Sequence, residues 1–333
     1  MKRQLHLLGF IGICLGMVSV IFAFIVMNNQ KQPEPYRIGI VIANKDRNEK
    51  IVGLKEGIQK LGLQEKKGLE YFTVDLEGSR NETYIEKRLL ELKNRKPDVI
   101  VTTGAWETIS TKKVIKNIPI VFIGIASPNE WGLIQPQDLI TGIDNGQMKL
   151  IGKRMELLQH ICPSTKRILV VADKNAPMTE LAIKEAQRVA SELHLQIDVQ
   201  PIASPEELSD LIRKTKPTQY QALFPLPSLL LEDAIVASLP LFIEQKLFVI
   251  GAYPEQVKRG LFAAYGLSFY EQGKQSATLV AKILNGSPVK DLPVELPDNV
   301  NLSVNEQTLE KLGIRLSQQQ AVIVHQQYGV AVR

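Results

Sequence analysis

The chain has very few of the residues that build disulfide scaffolds or metal sites. Its 333 residues include only 2 cysteines and 4 histidines. Cys14 lies in an apolar N-terminal run, which leaves Cys162 without a disulfide partner. The four histidines show no spacing typical of metal ligands: His6, His160, His194 and His325. The sequence therefore predicts neither a disulfide framework nor a metal centre.

Motifs for catalysis and cofactor binding are also missing. No G-x-S-x-G, G-x-x-x-x-G-K-[ST] or G-x-G-x-x-G motif follows a predicted strand, so we predict no catalytic residue and no cofactor. The formal net charge is only +5, which is too small for a nucleic-acid-binding surface. A hydrolase or transferase on the same architecture stays an alternative, because a fold does not dictate a function.

The N-terminus carries a long apolar run. Leu7–Met27 holds 21 residues without a charge, preceded by Lys2 and Arg3. As a helix it spans about 32 Å, which matches a hydrocarbon core of roughly 30 Å. No small-residue cleavage site follows, so we predict an uncleaved transmembrane anchor within residues 1–30, with cleavage or a buried core helix as alternatives. The basic residues place the rest of the chain outside the cytoplasm, attached to the cell membrane.

After a polar linker at 31–35, strand-type and helix-type patterns alternate. This alternation predicts an α/β fold with parallel sheets covered by helices on both faces. The first series consists of strands at 36–43, 69–75, 98–103 and 118–125, with helices at 49–61, 81–94 and 106–114. The second series has strands at 167–172, 196–201, 222–225 and 247–250, with helices at 178–193, 205–214 and 228–244.

The two series predict two doubly wound lobes joined by a hinge. We expect residues 36–140 and 267–300 to form the N-terminal lobe, 141–266 to form the C-terminal lobe, and 301–333 to close the structure. Ligands of open α/β sheets bind at the carboxyl ends of the strands. The cleft between the two lobes is therefore the predicted site.

One loop that leaves a buried strand carries the clearest site signal. Thr103 ends the third strand, and Gly104, Ala105 and Trp106 lead into a helix, where free backbone N–H groups can hold a carboxylate. Gly104 allows a ligand to approach the backbone. The alternative is a plain helix cap with Trp106 packed under the lobe.

Other candidate ligand-binding residues lie at equivalent strand ends. Ser127 and Pro128 follow the fourth strand, where a structural turn is the alternative, and Tyr265 at the return crossing is either a cleft wall or part of the core. The remaining candidates are Asn44, Asp173, Asn175 and Ser268. The charged loop Lys45–Glu49 either contacts a ligand or is simply solvated.

Several segments resemble a known family. The runs Ile118–Phe122, Ala126–Pro128, Thr141–Ile143 and Gly260–Tyr270 are similar to those of ABC-transporter substrate-binding proteins of the tryptophan/tyrosine uptake type. The resemblance implies a type I periplasmic-binding fold, no catalysis, and closure of two lobes over an amino-acid head group. It also implies an ABC permease and its ATPase as partners.

Three positions depart from the pattern of that family. Asn44-Lys45-Asp46 stands where a His-Pro pair is common, Ser268 stands where an aspartate is usual, and Leu226-Pro227-Ser228 lacks a polar Asp-Asn type pair. We predict an extracytoplasmic solute-binding protein of an ABC importer. The alternative is a membrane-tethered sensor or regulatory ectodomain.

Overall fold

The computed structural model describes residues 34–63, 68–216 and 218–329. The chain from Tyr36 onward forms one compact unit. Within the described ranges no helix is both long enough and apolar enough to cross a bilayer. The membrane segment predicted for residues 1–30 lies outside them, as does most of the linker.

Twelve strands and twelve α-helices make up the described part of the chain. The strands are β1 (Tyr36–Ile42), β2 (Leu69–Asp75), β3 (Val99–Thr102), β4 (Ile120–Ile125), β5 (Ile140–Asp144), β6 (Arg167–Asp173), β7 (Gln196–Ile202), β8 (Ala222–Pro225), β9 (Phe248–Gly251), β10 (Ala263–Gly266), β11 (Asn301–Asn305) and β12 (Gln326–Tyr328). The α-helices are α1 (Asn48–Lys60), α2 (Glu82–Asn94), α3 (Ala105–Val114), α4 (Ile151–Ile161), α5 (Thr179–Glu192), α6 (Pro205–Lys214), α7 (Leu229–Ala237), α8 (Leu239–Glu244), α9 (Pro254–Lys258), α10 (Phe269–Leu284), α11 (Glu306–Lys311) and α12 (Gln318–Val322). Short 3-10 helices cover Lys45–Arg47 and Val289–Asp291.

The first lobe is built on a parallel sheet in the order β2-β1-β3-β4-β5. Every residue of β3 and β4 is buried, because helices cover both faces of the sheet. Separate hydrophobic clusters fill the two faces. The near-continuous apolar runs of these strands are therefore a consequence of burial on both sides.

Helix α10 returns to the first lobe and packs against α1 at backbone distance. A Cβ atom on Gly53 would lie 1.9 Å from the carbonyl oxygen of Tyr270, and one on Gly273 would lie 1.9 Å from that of Lys50. Ala277 faces Gly57 further along the same contact. Glycine at these positions lets the two helix backbones touch, which fixes α10 to the first lobe.

The second lobe is built on a seven-stranded sheet in the order β12-β11-β10-β9-β8-β6-β7. Its neighbours run parallel except β10 and β11, which are antiparallel. One large hydrophobic cluster, formed mainly by residues 151–263, covers this sheet. The two lobes are thus α/β layers with predominantly parallel sheets, as predicted.

The structure differs from the sequence-based expectations in three places. Strand β5 pairs with β4 in the first sheet, so that sheet extends beyond residue 140. Segment 301–329 is not a separate closing piece, because β11 pairs with β10 and β12 with β11 in the second sheet. The helix predicted at 228–244 is two helices that meet at Ser238, since Pro240 fits the first turn of the second helix but cannot continue the first.

Three segments connect the two lobes. Residues 145–150 lead from β5 to α4, residues 267–268 lead from β10 to α10, and residues 296–300 lead to β11. The first and third lie side by side, because a Cβ atom on Gly146 would come within 3.1 Å of Pro297. Multiple short crossings of this kind allow a hinge motion of the lobes while keeping their register.

Candidate functional site

A cavity of about 1010 Å³ lies between the lobes. From the first lobe it is lined by residues at the carboxyl ends of β1 and β2 and at the start of α3. From the second lobe it is lined by residues at the end of β6 and just after it, by the start of α6, and by the first two turns of α7. It occupies the edge at which open parallel sheets bind their ligands.

Both tryptophans of the chain line this cavity. Trp106 sits in the first turn of α3, and Trp131 lies in the loop between β4 and β5. The guanidinium carbon of Arg80 stands 4.1 Å from the centre of the Trp106 ring. The indole nitrogen of Trp106 is buried and has no hydrogen-bond partner among the described residues. The first lobe therefore presents an aromatic surface that accepts a cation on one face.

Two buried carboxylates also face the cavity. Glu107 is 1% exposed, and its Oε1 accepts hydrogen bonds from the Ala43 backbone N–H at 3.1 Å and from the Thr103 hydroxyl at 2.9 Å. Asp173 is 7% exposed, and its Oδ2 accepts from the Ser228 hydroxyl at 2.7 Å. Neutral donors thus hold both carboxylates in place.

A buried ion pair joins the lobes beside the cavity. Arg47 Nη2 lies 3.1 Å from Glu232 Oε2, and the side chain of Arg47 is almost fully buried. Burial alone would lower the pKa of Arg47, but the carboxylates of Glu232 and Glu107 outweigh it and raise the pKa above its ordinary value. The guanidinium therefore stays charged at the contact between the lobes.

The carboxylate of Glu232 is also tied to the hinge. Its Oε1 accepts hydrogen bonds from the Tyr253 hydroxyl at 3.0 Å and from Gln147 Nε2 at 3.0 Å. Asn145 Nδ2 donates to the same Tyr253 hydroxyl at 2.8 Å. Burial and the negative charge of Glu232 raise the pKa of Tyr253 well above its ordinary value, so the phenol keeps its proton and donates it. A movement of the connecting segment 145–150 therefore displaces hydrogen-bond partners of Glu232, the acidic member of the Arg47–Glu232 ion pair.

Further polar contacts join the lobes around that ion pair. Asn44 Nδ2 donates to Asp233 Oδ2 at 3.3 Å. Arg259 pairs with Asp46 at 3.1 Å, and Lys258 pairs with Glu49 at 3.6 Å. The partners in the first lobe all belong to segment 44–49, which faces α7 and α9 of the second lobe. The structure therefore represents the lobes in contact.

A buried lysine lies behind this contact. Lys50 Nζ donates to the carbonyl oxygens of Thr103 and Ile123, each at 2.8 Å. Burial, followed by repulsion from Arg47, lowers the pKa of Lys50 from 10.5 to about 7. The side chain ties α1 to the ends of β3 and β4.

The structure brings four of the predicted site residues together at the cavity. These are Asn44, Trp106, Asp173 and Asn175. Thr103 and Gly104 lie just behind them: the Thr103 hydroxyl holds Glu107, and a Cβ atom on Gly104 would lie 2.6 Å from Arg47 Nη1. Ala105 is buried in the core of the first lobe.

The other four predicted residues do not line this cavity. Ser127 and Pro128 form a turn in which their carbonyl oxygens accept from the backbone N–H groups of Glu130 and Leu133. Tyr265 packs against the core of the second lobe. Ser268 caps α10, with its hydroxyl oxygen accepting from the Glu271 backbone N–H at 3.1 Å.

Several residues at the site escaped the sequence reasoning. They are Arg80, Glu107, Trp131, Glu232 and Asp233. Glu107 and Glu232 were detectable in principle, because each is an acidic residue in the first turn of a helix that starts at the carboxyl edge of a sheet. Arg47 belongs to the charged loop Lys45–Glu49, for which ligand contact and simple solvation were both left open, and the structure places Lys45 and Arg47 at the cavity.

Two α/β lobes, three crossings and an interlobe cavity define the architecture of a two-lobed solute-binding protein. A model of the ABC transporter substrate-binding protein family matches residues 37–327, and the chain belongs to that family. The family is one of solute-binding proteins.

Individual proteins are similar to this chain in sequence or in fold. A tyrosine-binding protein of Clostridioides difficile is 23% identical over 226 residues, which cover 66% of this chain and 64% of that protein, slightly less than two thirds of its length. A conserved domain protein of Vibrio cholerae has a similar fold, with a TM-score of 0.76 and 21% identity, covering 88% of this chain and 100% of the other. A Streptococcus pneumoniae ABC domain in complex with L-Trp has a TM-score of 0.75 and 15% identity, covering 88% and 100%.

Proposed function

We propose that this protein is the extracytoplasmic solute-binding component of an ABC importer and binds a small amino-acid-like solute in the interlobe cavity. The observation that carries the proposal is the placement of both tryptophans, Trp106 and Trp131, in one cavity between two lobes. An aromatic surface of this kind suits a solute with a flat apolar body. The tyrosine and L-Trp in the names of two relatives support the same solute class.

The contacts between the lobes support capture by closure. Segment 44–49 pairs with α7 and α9 only when the lobes are together, so these pairs favour the closed form once a solute fills the cavity. The closed form then docks on a membrane permease that works with a separate ATPase. The predicted N-terminal anchor keeps the protein at the outer face of the membrane, close to that permease.

Binding is tested on the full chain purified in detergent. Because both tryptophans line the cavity, fluorescence excited at 295 nm reports on this site. Titration with tyrosine and other amino acids should change the emission, and a solute at one hundred times its Kd should stabilise the fold by about 2.7 kcal/mol. Calorimetry replaces fluorescence for tryptophan itself. If no amino acid, amine, sugar or nucleoside changes either signal, the proposal is wrong.

A membrane-tethered sensor is the second candidate. The Arg47–Glu232 ion pair favours it, because this contact holds the lobes together through the protein's own side chains. Uptake of the radiolabelled solute by cells with and without the protein distinguishes the two roles. Lost uptake supports import, whereas unchanged uptake together with solute binding supports sensing.

A further inference from the structure

We propose that the solute of the interlobe cavity carries a net positive charge, as an amine or guanidinium compound with an apolar body. This inference rests on the proposed function of the cavity as the solute site. It adds the charge of the solute: a cationic compound is expected to bind more tightly than a zwitterionic amino acid such as tyrosine.

The cavity has an excess of carboxylates. Five acidic side chains line it: Asp75, Glu77, Glu107, Asp173 and Asp233. Three basic side chains line it: Lys45, Arg47 and Arg80. A solute that enters this space meets a negative potential, which is strengthened by the low dielectric of the lobes on either side.

The basic side chains do not neutralise most of these carboxylates. Lys45 pairs with Asp75 at 3.8 Å, and Arg47 is engaged with Glu232 outside the cavity lining. Arg80 stands over Trp106. Glu77, Asp173 and Asp233 form no ion pair with any described residue, and Asp173 is more than nine-tenths buried and accepts hydrogen bonds from neutral donors alone. Glu107 is equally buried, and its hydrogen-bond donors are neutral, but Arg47 lies close enough that Glu107 raises its pKa, which compensates part of this one charge.

A buried carboxylate without a cation is costly, and a charged partner offsets that cost. A zwitterion can place its carboxylate on Arg80 and its ammonium on one acidic side chain, but it adds no net charge and leaves the excess unchanged. A solute with one or two positive charges reduces this excess of negative charge. The Arg80–Trp106 contact shows in addition that the aromatic wall accepts a guanidinium at 4.1 Å.

The test compares solutes that differ only in a carboxylate. Tyramine and tyrosine form one pair, and agmatine and arginine form another. Calorimetric titration of the full chain in detergent should give at least a tenfold lower Kd for the decarboxylated member of a pair that binds. Binding of the cation should weaken as NaCl is raised from 20 to 500 mM, because salt screens the carboxylates.

Asp233→Asn and Asp173→Asn test the source of the preference. Each should raise the Kd of the cation about tenfold and reduce its advantage over the zwitterion. Asp210→Asn is the matched control, since Asp210 is exposed on α6 and pairs with Arg213 away from the cavity. Asp173 also accepts hydrogen bonds from Ser228 and from the backbone of Asn175, so Asp173→Asn can lower the Tm. Asp233 is exposed, and its substitution disturbs folding less. If Asp173→Asn lowers the Tm, the Kd measured with Asp233→Asn decides the result.

The outcomes separate this inference from the proposed function. If tyrosine or arginine binds as tightly as its decarboxylated partner, the charge inference is overturned while the solute-binding function stands. If only neutral solutes bind, the charge inference is likewise overturned and the solute-binding function stands. If no solute of any class binds, the proposed function fails and the inference fails with it.

Discussion

Arg47 in the first lobe and Glu232 in the second lie 3.1 Å apart and form an almost fully buried ion pair. Glu232 also accepts from Tyr253 and from Gln147, and Gln147 belongs to a segment that crosses between the lobes. The Arg47–Glu232 ion pair and the connecting segment 145–150 therefore belong to one hydrogen-bond network. Removing one charge leaves its partner buried with less compensation, which makes this pair a sensitive control point for closure.

Glu232→Gln should shift the ligand-free protein toward an open form. The amide keeps the shape of the side chain but loses the charge that attracts Arg47, so the closed form loses the buried ion pair between its lobes. We expect a larger radius of gyration by X-ray scattering and about a tenfold higher Kd for the solute. Glu192→Gln is the control, because Glu192 pairs with Arg188 on the exposed face of α5. An unchanged radius of gyration contradicts the role given to the ion pair.

Gly104→Ala should weaken solute binding with little effect on folding. The backbone φ of Gly104 is −174°, an extended conformation that any residue adopts. The new Cβ atom would, however, lie 2.6 Å from Arg47 Nη1 and 2.9 Å from Glu107 Oε2, so both side chains must move. We expect roughly a tenfold rise in Kd by fluorescence titration, from the disturbed Arg47–Glu232 ion pair. An unchanged Kd would show that Arg47 does not support closure.

Gly273→Ala should destabilise the first lobe. The added Cβ atom would meet the carbonyl oxygen of Lys50 at 1.9 Å, which forces α1 and α10 apart and costs about 1–3 kcal/mol. The expected readout is a lower Tm by calorimetry. Gly152→Ala in α4 is the control: its nearest contact is a Val189 methyl at 3.3 Å, and alanine favours a helix. Equal Tm values for the two variants contradict the close helix contact.

Lys50 should make stability depend on pH. Burial and repulsion from Arg47 lower its pKa from 10.5 to about 7. Between these values the unfolded chain binds a proton at Lys50 that the folded chain lacks, so this residue makes the free energy of unfolding rise with pH. The penalty for the buried charge is largest below pH 7 and is relieved as pH rises toward 10.

The measurement is the Tm of the native protein minus that of Lys50→Met, taken from pH 6.5 to 9.5. This difference should increase with pH, since the variant lacks the titrating group. Lys55→Met is the matched control, because Lys55 lies on the exposed side of the same helix. A difference that stays constant or falls with pH shows that Lys50 is not the group responsible.

Much of the fold was predictable from the pattern of apolar residues. The all-buried strands β3 and β4 read as continuous hydrophobic runs, and the alternation with helices indicated two α/β lobes. The break at Ser238 was missed because the hydrophobic pattern continues across it, although Pro240 marked the second helix start. The place of β11 was also missed, since pairing with β10 joins segments that are about 40 residues apart.

The candidate site was predictable only in part. Asn44, Trp106, Asp173 and Asn175 follow strands or open helices at the carboxyl edge, so the general rule for parallel sheets located them. Ser127 and Ser268 satisfied the same rule, but the Ser127 backbone carbonyl closes a turn and the Ser268 hydroxyl caps α10. A strand-end position shows which edge a residue occupies but leaves the partner of its side chain undetermined.

The sequence by itself determined the two-lobed α/β layering, the sheet edge at which the candidate site lies and the family, because periodic burial and strand-end loops are local properties of the chain. Only the tertiary structure decided that Arg47 meets Glu232, that both tryptophans share one cavity, and that four of the carboxylates lining it form no ion pair with any residue the structure describes. Arg47 and Glu232 are 185 residues apart in sequence. The physical reason is that charge compensation and burial between the lobes depend on how two separately folded layers approach each other, which no local pattern encodes.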